Sequence, residues 1–258
     1  HHIIADAVEL EDRTARLACL AVEGPRAGEV LKRVLGFDPP PMRPLEHVHR
    51  EDLAARVLRA SISGAEGYWL LAAPETAAEF WRGALATERN DIDMSFRRTQ
   101  RKSNETASHD RLGEDAFGVR PVGFEAVEIR RIEAGIPRYG SDMDSKTLPQ
   151  ETGQLHAISF TKGCYIGQET VERIHSRGHV NRQLAGLRFE GRCEVARDMM
   201  VLVKGHPSGF ITSAAYSFGL RRTIALAYLR RESAEPGTFV QVNNQDGEVA
   251  AMPFVSGE

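Results

Sequence analysis

The residues with the most chemical potential lie in one stretch, Thr161-Lys162-Gly163-Cys164-Tyr165-Ile166-Gly167-Gln168-Glu169. A thiol reacts as its thiolate, and a nearby cation or helix N-terminus favours that form. Lys162 stands two residues before Cys164, and the pattern after Gly167 predicts a helix over 168–175. Gly163 and Gly167 free the backbone to expose a sulfur or approach a ligand. Taken by its residues alone, the stretch reads sooner as a buried structural cysteine in a glycine-rich turn beside a solvated lysine. Downstream, Arg173, His175, Arg177, His179 and Arg182 form a local positive run, either a solvated face or a seat for carboxylates. Upstream, Glu133 lies in Arg130-Arg131-Ile132-Glu133-Ala134-Gly135. A carboxylate at a helix C-terminus opposes the helix dipole, so Glu133 needs a compensating partner. That partner is an adjacent arginine or the paired N–H groups of a bound heterocycle, unless the side chain simply lies at the surface.

The elements that must position these groups follow from periodicity. Residues 15–23 and 67–73 read as strands. Arg26–Val34 reads as a helix closed by Gly36, and a helix opens at Pro74, with Ala77, Phe80, Trp81 and Leu85 marking its buried face. Residues 52–60 fit either a short helix or a strand. Strand–helix units of this size, with no nucleotide-type glycine loop, indicate an α+β body. Residues 87–118 are polar and aperiodic, an insertion in character. A nucleic-acid arm built on Arg97, Arg98, Arg101 and Lys102 is disfavoured by the interleaved acids. Order resumes with a helix over 124–132, stopped by Gly135, then an extended exit through Tyr139. After Arg182 the pattern is β throughout: five short strand-like runs separated by Gly205, Pro207, Pro236-Gly237 and Asn243-Asn244 predict a small barrel.

Bulk properties narrow the function. The 258 residues, 41% hydrophobic, suffice for a large core or several smaller ones. A net charge of −3 provides no basic field for nucleic acid. There is no apolar run of membrane length and no signal-peptide pattern. Three widely spaced cysteines, Cys19, Cys164 and Cys193, argue against a disulfide framework and for a reducing compartment, the cytoplasm or the mitochondrial matrix. Cys19, in an apolar strand, reads as a small hydrophobe. No cluster has metal-ligand spacing, so no permanent metal is expected. The chain opens at His1-His2 without a methionine, which fits a fragment or appended histidines.

Lys162-Gly163-Cys164-Tyr165-Ile166-Gly167-Gln168-Glu169 resembles the signature of the YgfZ family, folate-binding, iron–sulfur-related relatives of the glycine cleavage T-protein (aminomethyltransferase). The blocks Arg131–Gly140, Leu148–Glu151, Gly178–Arg182, Ile224–Tyr228 and Glu235–Thr238 extend the resemblance over most of the chain outside 87–118. It implies a T-protein-like multi-domain fold around a folate hole: an antiparallel α+β body over 1–182 and a small C-terminal β-barrel over 183–258. It implies that family chains begin well upstream of His1, so the folate-binding region is expected to be incomplete. It implies tetrahydrofolate or a derivative as ligand, with Glu133 and Tyr139 at the pterin. Lys162 and Cys164 are the implied functional pair, and Arg173 and Arg182 would receive the folate's carboxylates. The implied role is a tetrahydrofolate-binding accessory in iron–sulfur cluster assembly or repair, partnered by assembly proteins or clients, and not a conventional enzyme. The alternatives are aminomethyltransferase-like one-carbon transfer and a truncated remnant that binds without catalysing.

Overall fold

The computed structural model describes residues 9, 11–85 and 118–255. The polar stretch expected to be an insertion lies, save for its last residue, outside the described residues, as do residues 1–8. The chain divides into two compact units, one of residues 1–61 and 65–122 and one of residues 62–64 and 123–258.

In the first unit, β1 (Ala18–Glu23), β2 (His47–Arg50), β3 (Ala55–Arg59) and β4 (Gly67–Ala72) form an antiparallel sheet in the order β1-β4-β3-β2. The segment 52–60 resolves as its strand alternative, a single 3-10 turn leading into β3. Strand side chains alternate between faces. Val57, Tyr68 and Leu70 therefore face one side, where α1 (Ala27–Leu35) and α2 (residues 74–85) supply Val30, Leu31, Phe80 and Ala84. The buried face of α2 is Ala77, Phe80 and Ala84; Trp81, expected there, is 45% exposed. Trp81 directly follows Phe80, and that one step rotates the indole about a quarter-turn off the buried stripe. Cys19 sits on the opposite sheet face and is exposed rather than packed as a small hydrophobe, though the burial it has pushes its thiol pKa up.

The second unit holds α3 (Phe124–Glu133), α4 (Gln168–Arg177) and six strands. These are β5 (Arg182–Phe189), β6 (Met200–Val203), β7 (His206–Ser217), β8 (Arg222–Arg230), β9 (Phe239–Val242) and β10 (Gln245–Ala250). They close into a barrel in the order β10-β5-β8-β7-β6-β9. Asn243 and Asn244, both at positive φ (47° and 60°), make the two-residue turn between β9 and β10. Leu187, Phe189, Val201, Ile211, Leu229 and Val242 fill the interior. A second cluster lies outside the barrel wall, where Ile132 of α3 meets Leu184, Ile224, Leu226 and Tyr228 with Met252 and Phe254 packed against them. β8 serves both clusters, so its residues 223–229 are all buried and its sequence is a continuous apolar run instead of an alternating one. Gly186 keeps the wall thin there: a Cβ would stand 2.7 Å from the Phe254 ring. The α+β class and the C-terminal barrel are thus as the sequence indicates.

Candidate functional site

The last turn of α3 carries the first candidate. Glu133 is 4% exposed and both carboxylate oxygens are engaged. Ser217 Oγ, at the end of β7, donates to Oε1 at 2.6 Å, and Arg130 Nη1 donates to Oε2 at 2.7 Å. The compensation that a C-terminal carboxylate demands thus comes from an adjacent arginine and a barrel hydroxyl. Arg130 is half-exposed and its arm is long, so it is the exchangeable partner; Ser217 is fully buried. The Glu133 carbonyl also accepts from the Phe254 N–H at 2.8 Å. Gly135, at φ 69°, ends the helix in the left-handed region, as its position predicts.

Two residues before Glu133 begins a network that sequence reading missed. Arg131 is 3% exposed and Asp142 2%. Arg131 Nη1 donates to Asp142 Oδ2 at 2.6 Å and to the Ile136 carbonyl at 3.0 Å. Its Nη2 donates to Ser213 Oγ at 2.6 Å, and its Nε to Glu128 at 2.8 Å. Asp142 also accepts from the Arg138 N–H (2.9 Å), Thr212 Oγ1 (2.6 Å) and Ser213 Oγ (2.7 Å). Burial alone works against the Arg131 charge, but Glu128 and Asp142 outweigh it and the guanidinium pKa is raised. The network pins α3 and the 136–142 turn to β7. The available signal was two adjacent arginines on a helix whose following loop supplies an unassigned aspartate. Tyr139, which that turn presents, is 67% exposed, with an isolated bridge to Met143.

The glycine–cysteine stretch is an exposed loop leading into α4. Gly167, at φ 88°, stands directly before the helix. Cys164 is exposed, so the buried-turn alternative fails for it. Lys162 places its Nζ over the Tyr165 ring, 4.7 Å from the centroid, a cation–π contact. Gln168 Oε1 accepts from the Tyr165 N–H at 3.3 Å. Gln150 anchors α4 by donating from Nε2 to the Val171 carbonyl at 2.9 Å.

The basic run does not act as one group. Arg182 forms a two-pronged pair with Glu151, both contacts at 3.1 Å, and lies over the Tyr228 ring at 4.7 Å. The hydrogen-bonded Glu151 carboxylate holds its pKa up against the effect of burial. His175 stacks on Phe160, with centroids 3.9 Å apart. Arg173 and His179 face solvent. Of the two arginines expected at the folate carboxylates, Arg173 is exposed and Arg182 is paired with Glu151 while its side chain stays partly exposed. Among the described residues no hydrogen bond, ion pair or ring contact joins Glu133 or Tyr139 to Lys162 or Cys164. Among the described residues no group of three or more His, Cys, Asp or Glu side chains is placed to hold a metal ion, and no helix is long and apolar enough to cross a membrane.

Residues 182–256 match the glycine cleavage T-protein C-terminal barrel domain. Over its length the chain is 29% identical across 262 residues to an aminomethyltransferase of Picosynechococcus, covering 98% of this chain and 64% of that protein. An aminomethyltransferase of Synechococcus sp. (strain RCC307) is 30% identical over 257 residues, with 96% and 62% covered. The crystal structure of glycine cleavage system aminomethyltransferase T from Bartonella henselae superposes with a TM-score of 0.71 at 19% identity, covering 93% of this chain and 60% of that one. The chain therefore has a T-protein-like fold and a relationship to that protein, and it spans about three fifths of the length of these relatives. All three are named for aminomethyl transfer; none of these names points to iron–sulfur assembly.

Proposed function

We propose that this chain takes part in tetrahydrofolate-dependent one-carbon transfer of the aminomethyltransferase type. The observation that carries it is that the likeness to aminomethyltransferases is not confined to the barrel but runs through 98% of the chain, Glu133 and its helix included. Glu133 is the residue assigned to the pterin. A carboxylate oxygen has two acceptor directions, so each oxygen keeps capacity beyond Ser217 and Arg130. A ring with two adjacent N–H groups takes the place of Arg130, whose guanidinium returns to solvent. Ser217 fixes the carboxylate in the meantime.

The test is calorimetric titration of tetrahydrofolate, under exclusion of oxygen, into the protein and its Glu133→Gln variant. Loss of a charged acceptor costs about 1.5–3 kcal/mol, so the variant binds about 10- to 100-fold more weakly. Equal binding by two equally folded proteins removes Glu133 from the site. Formation of methylenetetrahydrofolate from an aminomethyl-lipoyl donor tests the reaction itself.

A second reading, a folate-binding accessory of iron–sulfur assembly, rests on the solvent-exposed Cys164 in its Lys162–Glu169 setting. One thiolate cannot hold a cluster by itself. In that reading Cys164 is a shared, transient ligand whose other partners come from the client protein.

A further inference from the structure

β7 is twelve residues long, but β6 and the residues before it cover only its first part: the register runs from Met200↔Phe210 to Val203↔His206, the Ile211 N–H donates to the Met199 carbonyl, and the Ile211 carbonyl accepts from the Asp198 N–H. Beyond this point β7 pairs with β8 alone. The direction of its backbone groups there follows from the ladder. In an antiparallel pair, opposed residues alternate between exchanging hydrogen bonds and pointing them away. The Thr223 N–H donates to the Gly191 carbonyl, on the side of β8 away from β7. Thr223 therefore does not exchange bonds with Tyr216, its partner in register. The amide and carbonyl of Tyr216, and of Ala214 two residues back, point outward from the free side of β7. The bulge between Ile211 and Ser213 produces this phase, since it shifts the alternation by one residue. None of these four backbone groups has a hydrogen-bond partner among the described residues.

They face a cleft of about 490 Å³ whose walls include Phe124 and Ile129 of α3, Tyr216, Phe218, Arg138 and Arg192. Phe124 is 89% exposed and Phe218 68%. Arg138 is engaged by Glu128 at 2.9 Å and by Ser141. Arg192 lies over the Tyr216 ring at 4.5 Å with no carboxylate on its guanidinium among the described residues. An open strand edge is a template for another backbone, and native proteins ordinarily blunt or cover it. Among the described residues this one is flanked instead by exposed aromatic rings and by a cation without a carboxylate partner.

We infer that the cleft between α3 and β7 is a docking site for an extended segment of a separate polypeptide. The segment adds as a strand to Ala214–Tyr216, seats an apolar side chain between Phe124 and Phe218, and gives an acidic one to Arg192. Alternating backbone donors and acceptors fix the class of occupant, because only an extended main chain satisfies both kinds in register. The inference does not depend on the folate reading.

The probe is a dye-labelled, end-blocked hexapeptide alternating valine and glutamate, followed by fluorescence anisotropy. Two N-methylated versions accompany it, each blocking one alternate set of amides. Strand addition predicts that one set abolishes binding at least about tenfold while the other leaves it nearly unchanged. Ala214→Pro removes an outward N–H that β8 does not use and is expected to lose the peptide. Arg192→Glu, with the backbone intact, weakens it as well. Three results overturn the inference: no binding up to about 1 mM, equal loss from both methylated sets, or a concentration-dependent dimer abolished by Ala214→Pro, which assigns the edge to a second copy.

Discussion

Replacing Asp142 by asparagine tests the claim that a buried ion-pair network positions the Glu133 region. In the native protein one oxygen accepts from Arg131 Nη1 (2.6 Å) and the Arg138 N–H (2.9 Å), and the other from the hydroxyls of Thr212 (2.6 Å) and Ser213 (2.7 Å). Every lone-pair direction is used by a donor. An amide presents one oxygen and one NH2, so on one side N–H groups must face N–H or O–H groups. The variant also leaves Arg131 with Glu128 as its remaining carboxylate. Removing one partner of a buried pair costs about 3–5 kcal/mol, a large share of an ordinary domain's stability. Both tryptophans, Trp69 and Trp81, lie in the first unit, so tryptophan fluorescence does not report this loss. Hydrogen exchange of peptides covering α3 and β7 does, and it should show protection falling by about two to four powers of ten. A double-mutant cycle with Arg131→Met then isolates the pair, and its coupling should exceed about 1 kcal/mol. Exchange in Asp142→Asn indistinguishable from wild type would refute the reasoning, for the carboxylate would then be a bystander.

Tyr228 is 3% exposed and its hydroxyl has no hydrogen-bond partner among the described residues. Burial pushes its pKa up to about 12 against the opposing charge of Arg182. The unfolded chain ionises first, so the stability this group contributes is complete below about pH 10 and is lost as pH rises through about 12. Tyr228→Phe, compared by urea unfolding, should be neutral or stabilising at pH 8 and should lose less stability than wild type between pH 10 and 12; a clear destabilisation at pH 8 would reveal a hydrogen bond. For the thiols, iodoacetamide followed by peptide mass spectrometry should modify Cys164 first. Cys19 is slowed by its burial-raised pKa, and Cys193 by partial burial and its contact with the Glu190 carbonyl at 3.1 Å. Labelling of Cys164 last would contradict its exposed placement.

Local chemistry carried much of the fold. Gly36, Gly135 and Asn243-Asn244 each adopt the positive φ that ends a helix or closes a hairpin, and these positions were legible because few other residues tolerate that conformation. The same holds for strands such as β4, where a hydrophobic run is bracketed by glycine and proline. Residues 52–60 stayed ambiguous because a short apolar run fits both periods until neighbours choose. The face of α2 was displaced by one residue because composition marks a stripe but not its edge.

The candidate site divides along similar lines. The sequence determined that Lys162 and Cys164 lie in a glycine-flanked loop before a helix, and that Glu133 at a helix end needs a partner. Both follow from contacts within one or two turns of chain. Only the tertiary structure decided which partner. Ser217, 84 positions from Glu133, and Ser213, 82 from Arg131, reach them across the α3–β7 contact. It also decided that Arg182 pairs with Glu151, 31 positions away. A one-dimensional pattern records what each side chain offers. Whether that offer is already met by a distant donor depends on which strands the barrel closes side by side, and that is fixed only when the core packs.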